Sequence, residues 1–544
     1  MLTRSTIEKI IPLLKKDLRR AMKMKVPGFP RPYYCAYTLR DIHWFNTWAS
    51  SGSTYRRRSD QTRNVYCDLR VGSYRNDQVM DGGLLDNDEE LESVSHVSVP
   101  IDDKCYDGLR IAIWKLTEAK FREALTDYNS KQSMRVSTVD KTRKYPSFVR
   151  VKPRVFKTFP RFHYVDEDKW VRFCKRISKW LSELPDVGGN WVEFDASQQT
   201  KIFVNTEGSV IVQHFKVFSL MAGVRNLTSE GAQIEQEYVL NCSDPRELPT
   251  MRELKEILEK KYERMCELVK AKKMHAYSGP VLLYPKPAGL LLHEALGHRL
   301  EGSRLLSSGE GQTFKGQIGK KVVKAPLTVR DDPTLKKFQG IKCIGAYDFD
   351  DEGTPAMNTL LIENGVLVGF LNTRQALSAR GHVPNGHARN KKFQRPISRM
   401  AVTIFEGGED ALSMEEMKAL LIQEIRRQKK PFGLIVYETS GGETETTAYD
   451  FQGFYGEISY ATKVYPDGRE VPIRGVDFVG TPLQALNNIV AIGKDQEIDN
   501  GYCGAESGFI PITTISPALL LSNLELQAKD EELVTQYILP RPKL

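Results

Sequence analysis

The chain has 544 residues, 40% of them hydrophobic and 27% charged, with a formal net charge of +9. That length exceeds what one core supports and sets an expectation of two or three domains. No apolar run approaches the roughly 18 residues that a bilayer-spanning helix needs, so no membrane crossing is expected, and eight cysteines without a CxxC or regular spacing read as reduced core residues.

The first 25 residues place Ile7, Ile10, Ile11, Leu13, Leu14 and Leu18 at helical spacing, interrupted by charges. This predicts an amphipathic helix packed on its own domain, with membrane-surface binding as the alternative, and no secretory apolar core. The cytoplasm is the expected location. Residues 32–42 and 62–74 alternate aromatic and β-branched residues with polar ones, as strands of an antiparallel meander do. A helix is expected over 107–128, then an exposed basic stretch over 141–161, a second helix over 167–184, and further strands. Residues 251–274 read as a long charged helix with Leu254, Ile257, Leu258 and Tyr262 on one side. That helix marks a boundary between an N-terminal domain, 1–274, and a C-terminal domain, 275–544.

Beyond it come an apolar strand at 280–285, a helix carrying histidines, and a β-rich half with turns at 363–365, 441–442 and 466–468 and one helix over 413–429. The fold class expected is α+β: an antiparallel N-terminal sheet with covering helices, and a β-rich C-terminal domain bearing the histidine helix.

The chemistry concentrates in PAGLLLHEALGHRLEG, residues 287–302. Two histidines bracketing a glutamate on a buried helix fit a first-row metal, most often zinc, bound by His293 and His298, with Glu294 free to take a proton from water. The spacing is HExxxH. At about 100° per residue, positions i and i+5 lie about 140° apart around a regular helix, so the two imidazoles cannot share one ion unless the helix bulges or breaks. A departure from α geometry is therefore expected over 294–298, eased by Gly297. Glu301 is either a third ligand or, the preferred reading, the carboxylate that orients an imidazole through its other nitrogen.

HEALGHRLEG closely resembles the metal-binding segment of the TldD/PmbA family of metallopeptidases, on the active, TldD-like side. RDDPTLKKF, YDFDDEGTPAMNTLLIENGVL, RPISRMAVTIFEGG, the stretch from GLIVYETSGGE to EVPIRG, and IGKDQEIDNGYCGAESGFIPITTISPALLL follow in the family's order across about residues 275–525. The resemblance implies one zinc per chain held by His293, His298 and Cys503, the last within Asn500-Gly501-Tyr502-Cys503-Gly504. It also implies extended or unfolded peptides as substrates, and a dimer, either of this chain or with an inactive PmbA-like partner. Many family members continue Glu-Gly-Asp where this chain has Glu301-Gly302-Ser303.

Other segments allow two readings. His382 and His387 lie in a glycine-interrupted stretch, 378–393, that reads as a solvated loop or as a contributor to substrate binding. Gly441 and Gly442 read as a turn or as a close backbone approach to a bound peptide. The acidic groups Asp331-Asp332-Pro333 and 348–352 read as turn and surface residues, with a second metal site as the alternative, since hard cations use such carboxylates. Two rivals to a peptidase are a non-catalytic partner subunit, which has no need of all four of His293, Glu294, His298 and Cys503, and a nucleic-acid-associated protein resting on the basic stretch at 141–161.

Overall fold

The computed structural model describes residues 2–80, 96–137, 145–159, 162–307, 309–378, 381–391, 395–447, 452–531 and 533–534. Both ends of the basic stretch, 141–144 and 160–161, lie outside them. Residues 32–242 supply a seven-stranded sheet in which His96–Ser98, Ser53–Val71, Pro32–Ser50, Gly189–Asn205 and Val210–Leu227 lie side by side. Val155–Lys157 and Gln233–Cys242 both pair with the last of these. Every pairing is antiparallel except that of Val155–Lys157. The two longest strands meet at a two-residue turn whose residues, Ser51 and Gly52, have φ of 48° and 77°, the paired positive values that match a hairpin's right-handed twist.

Helices cover one face of this sheet. Arg4–Ala21, capped by Thr3 accepting the Thr6 N–H, buries Ile7, Ile10, Ile11, Leu14 and Leu18 against Cys35, Tyr37, Leu39 and Val65. Its apolar stripe is thus used within the chain. Further along, Glu167–Glu183 and Met251–Lys270 cover Val192, Phe194, Phe218 and Leu220. Thr250 and Glu253 close a reciprocal capping box on the second of these, satisfying donors that the helix start leaves open. Leu254 and Leu258 are buried as the periodicity predicts, whereas Ile257 faces a cavity.

The second sheet holds eleven strands. Five of them close on themselves: Ile510–Ala528, Val476–Gly480, Phe454–Val464, Gly433–Thr444 and Tyr277–Leu283, the last pairing back to the first. Alternation along these strands decides what each face meets. Val281, Leu283, Leu434, Val436, Leu519 and Leu521 point to one side, where Leu291, Leu292 and Ala295 of the histidine helix pack. Leu282, Ile435 and Leu520 point to the other, against Met417, Leu421 and Ile425 of the helix Met414–Arg427. Both faces are covered, which is why these strands read as unbroken apolar runs. Each such fully buried Leu or Ile contributes about 1.5–3 kcal/mol.

The two sheets meet through buried charge. Asp351 accepts from Arg40 at 3.0 Å and Lys201 at 2.7 Å, and Arg374 reaches Glu207 at 2.6 Å. The acidic groups read as surface residues are in part interior: Asp331, Asp350 and Glu352 are buried, because each accepts backbone N–H groups that would otherwise be orphaned. The arginine run at 56–58 forms ion pairs, Arg56 to Glu193, Arg57 to Glu167 and Asp168, and Arg58 to Asp60.

Candidate metal centre

The histidine helix, Pro285–Ala295, starts on a proline whose missing N–H costs nothing at that position. It ends where Leu296 leaves helical geometry at φ −125°, ψ −49°. A short, tighter turn follows, Gly297–Leu300. The departure foreseen near Gly297 is a break rather than a bulge, and it sets the rings of His293 and His298 4.9 Å apart at 86°. A Cβ at Gly297 would lie 2.3 Å from the sulfur of the buried Met400, so that side chain would have to move to admit it.

Cys503 arrives from 205 residues further along the chain than His298, at the end of the strand Ile489–Cys503 and directly opposite Ile510. Its sulfur lies 3.3 Å from His293 Nε2 and 3.4 Å from His298 Nε2. These three ligand atoms lie within 4.8 Å of one another, all on buried residues, and no other such cluster of three occurs among the described residues. Glu294 sets Oε2 4.0 Å from His298 Nε2. Glu301 faces the opposite ring nitrogen, His298 Nδ1, at 3.1 Å. Its carboxylate also accepts from Arg304 Nε at 2.9 Å and lies 3.6 Å from Arg399 Nε.

Burial pushes the Cys503 thiol up, but the neighbouring His298 and His293 outweigh it and pull the thiol well below its ordinary value. Burial likewise lowers His298, and the Cys503 sulfur and Glu301 carboxylate overcome it, taking the imidazole up to about 10. Glu301 is held at about 2 because His298 and Arg304 outweigh its burial. The shifts are mutual: the sulfur and the Glu301 carboxylate favour a proton on the imidazoles, and the imidazoles favour a deprotonated thiol and carboxyl.

His293, Glu294, His298 and Cys503 line a cavity of about 1030 Å³. Its walls come from the helix Met251–Lys270, from residues 237–241 of the first sheet, and from the edge of Gly433–Thr444, where Gly441 and Gly442 also lie. That strand pairs with Tyr277–Leu283 only through Leu434–Val436. Among the described residues no strand pairs with the same edge over 439–444. Arg299, buried, donates to the Glu294 carbonyl at 2.8 Å and to Thr444 Oγ1 at 3.1 Å, so it ties the carbonyl freed by the helix break to the edge strand.

His382 and His387 do not line this cavity. His382 Nε2 meets the Thr373 carbonyl at 2.8 Å. His387 is fully buried between Asp331 Oδ1 at 3.1 Å and Asn385 Oδ1 at 3.0 Å. Sequence reasoning missed Arg299, Arg304 and Arg399. Arg299 and Arg304 flank the motif and were open to suspicion, whereas nothing local marks Arg399.

Residues 276–528 match the family described as PmbA/TldA metallopeptidase C-terminal domain. A metalloprotease from Methanothermobacter thermautotrophicus is 26% identical over 473 residues, 85% of this chain and 95% of that protein. A zinc metalloprotease TldD homolog from Saccharolobus solfataricus is 24% identical over 275 residues, 50% of this chain and 57% of that protein. TldE from Thermococcus kodakarensis, at 13% identity, shares the fold with a TM-score of 0.61 over 96% of this chain and 100% of its own. Over residues 276–528 the chain is thus similar to the TldD/PmbA family of metallopeptidases.

Proposed function

We propose that the chain is a zinc-dependent peptidase acting on extended peptides, with His293, His298 and Cys503 as ligands of one zinc and Glu294 as the base. One observation carries the reading: two imidazole nitrogens and a thiolate converge, buried, at the wall of a cavity that also holds a carboxylate and a free strand edge. The donor set fits the ion. Tetrahedral zinc with its usual bonds separates nitrogen and sulfur ligands by about 3.5 Å, against 3.3 and 3.4 Å here. Glu301 on Nδ1 leaves Nε2 of His298 as the coordinating nitrogen.

When bound, the ion supplies Lewis acidity, which polarises a carbonyl and makes water a usable nucleophile near neutral pH. Glu294 Oε2 then accepts the water proton and returns it to the leaving amine. The edge at 439–444 holds an extended peptide by strand addition, reading backbone more than side chains. Gly442 keeps that edge close to the histidine helix, since a Cβ there would meet Leu290 at 3.1 Å and the Tyr455 carbonyl at 2.8 Å. The chain is proposed to act as a dimer, either of itself or with an inactive PmbA-like subunit.

The test is metal analysis together with cleavage of unstructured peptides. Glu294→Gln is expected to keep zinc and lose about 10²–10⁴-fold in kcat, while Cys503→Ala loses zinc. Full activity in Glu294→Gln would sink the mechanism.

A further inference from the structure

We infer that Arg399 is a positioning residue for the metal centre: it fixes Cys503 and, through Glu301, His298. The inference rests on the zinc reading above. Arg399 has no exposed surface, and its guanidinium is directed at the cysteine. Nη2 donates to the Cys503 carbonyl at 2.8 Å and to its sulfur at 3.2 Å. Nη1 donates to Ser507 Oγ at 2.9 Å and to the Gly508 carbonyl at 3.0 Å. Nε lies 3.6 Å from Glu301 Oε1, the carboxylate that faces His298 Nδ1. One planar group thus spans the loop that follows Cys503 and touches the support of the second histidine.

Only a rigid fork with several N–H donors can meet this set of acceptors at once, and a lysine ammonium cannot. Arg399 is itself clamped. Its backbone N–H donates to the His387 carbonyl at 3.0 Å. The ring of His387 lies between Asn385 and Asp331, and Asp331 also accepts the N–H groups of Ala401 and Val402. Met400, the next residue, fills the space that Gly297 leaves. The segment 399–402 therefore registers the cysteine loop against the broken helix. A hydrogen bond donated to the sulfur also withdraws electron density from it, which changes how the thiolate donates to an ion.

The experiment uses the full chain as wild type, Arg399→Lys, Arg399→Met and Ser507→Ala. Zinc affinity is measured by chelator competition, and thiolate donation by the sulfur-to-cobalt charge-transfer band after loading with Co(II). Arg399→Lys is expected to fold, to bind zinc about 10–100-fold more weakly, and to shift the band. Ser507→Ala, which touches no ligand, is expected to move both readouts in the same direction by less. These two variants carry the test if Arg399→Met fails to fold. If both hold zinc as tightly as wild type with an unshifted band, the inference is overturned while the zinc reading stands. A wild-type chain with no such band overturns the zinc reading, and the inference with it.

Discussion

Two carboxylates in this protein sit between paired buried cations, and they serve different ends. Asp351 lies between Arg40 and Lys201 where the two sheets meet, and Glu301 lies between Arg304 and Arg399 beside His298. Both are held at about 2, Asp351 because Lys201 and Arg40 outweigh its burial. At Asp351 the charges close on each other and on backbone, with nothing aimed outward. Around Glu301 the same device leaves His298 Nε2, together with His293 and Cys503, facing an open cavity. The first cluster satisfies itself, whereas the second holds donor atoms towards a cavity, and it is the one proposed above as the metal site.

The largest way to break the comparison is Asp351→Ala. It strands two buried cations and is expected to cost about 3–5 kcal/mol of stability, read as a fall in Tm or in denaturation midpoint, without changing intrinsic zinc affinity in the folded chain. The pH dependence follows. The folded carboxyl titrates at about 2, below the ordinary value of about 3.9, so its stabilisation is complete above the ordinary value and disappears as pH falls through about 2. Wild type and Asp351→Asn should therefore differ in Tm at neutral pH and converge in acid. Curves that stay parallel would mean that the pair does not couple the sheets.

Gly297→Ala comes next. It drives a methyl group against Met400, with an expected loss of about 1–3 kcal/mol, and Gly297→Ala combined with Met400→Ala should lose less than the sum of the two single changes. Additive losses would show that the clash is not the cause. The smallest expected effect is that of Glu301→Gln, about 10–100-fold in zinc affinity by chelator competition, because the amide keeps the volume and one acceptor for His298 while losing the charge. If Glu301→Gln instead costs as much stability as Asp351→Ala, the distinction between the clusters fails.

Much of this was legible in the sequence, and the boundary of legibility is physical. Local patterns announced the helices at 4–21, 167–183 and 414–427, the alternating strands, and the histidine segment with its necessary break. Helical geometry alone required that break, since HExxxH cannot chelate on a regular helix. What escaped were features made by contact between distant segments. Arg399 lies in a stretch with no local sign of its target, one among 78 Lys and Arg residues. Cys503 is one of eight cysteines, and only the family resemblance singled it out. Asp331 read as a turn residue because its partners, Ala401, Val402 and His387, lie more than fifty residues away. His387 drew attention for its chemistry and turned out to belong to the support behind Arg399.

The separation of 205 residues between His298 and Cys503 has a consequence for the life history of the chain. Any ion held by both would be a cross-link across that long loop, and closing a loop carries an entropy cost that grows with its length. The two halves of the ligand set come together only once the strands ending in Cys503 and beginning at Ile510 are seated on the rest of the second sheet. Loading is thus expected to follow folding, with the ion acquired by a finished domain rather than by the growing chain. Once acquired, it would tie the strand ending in Cys503 to the histidine helix and slow its detachment.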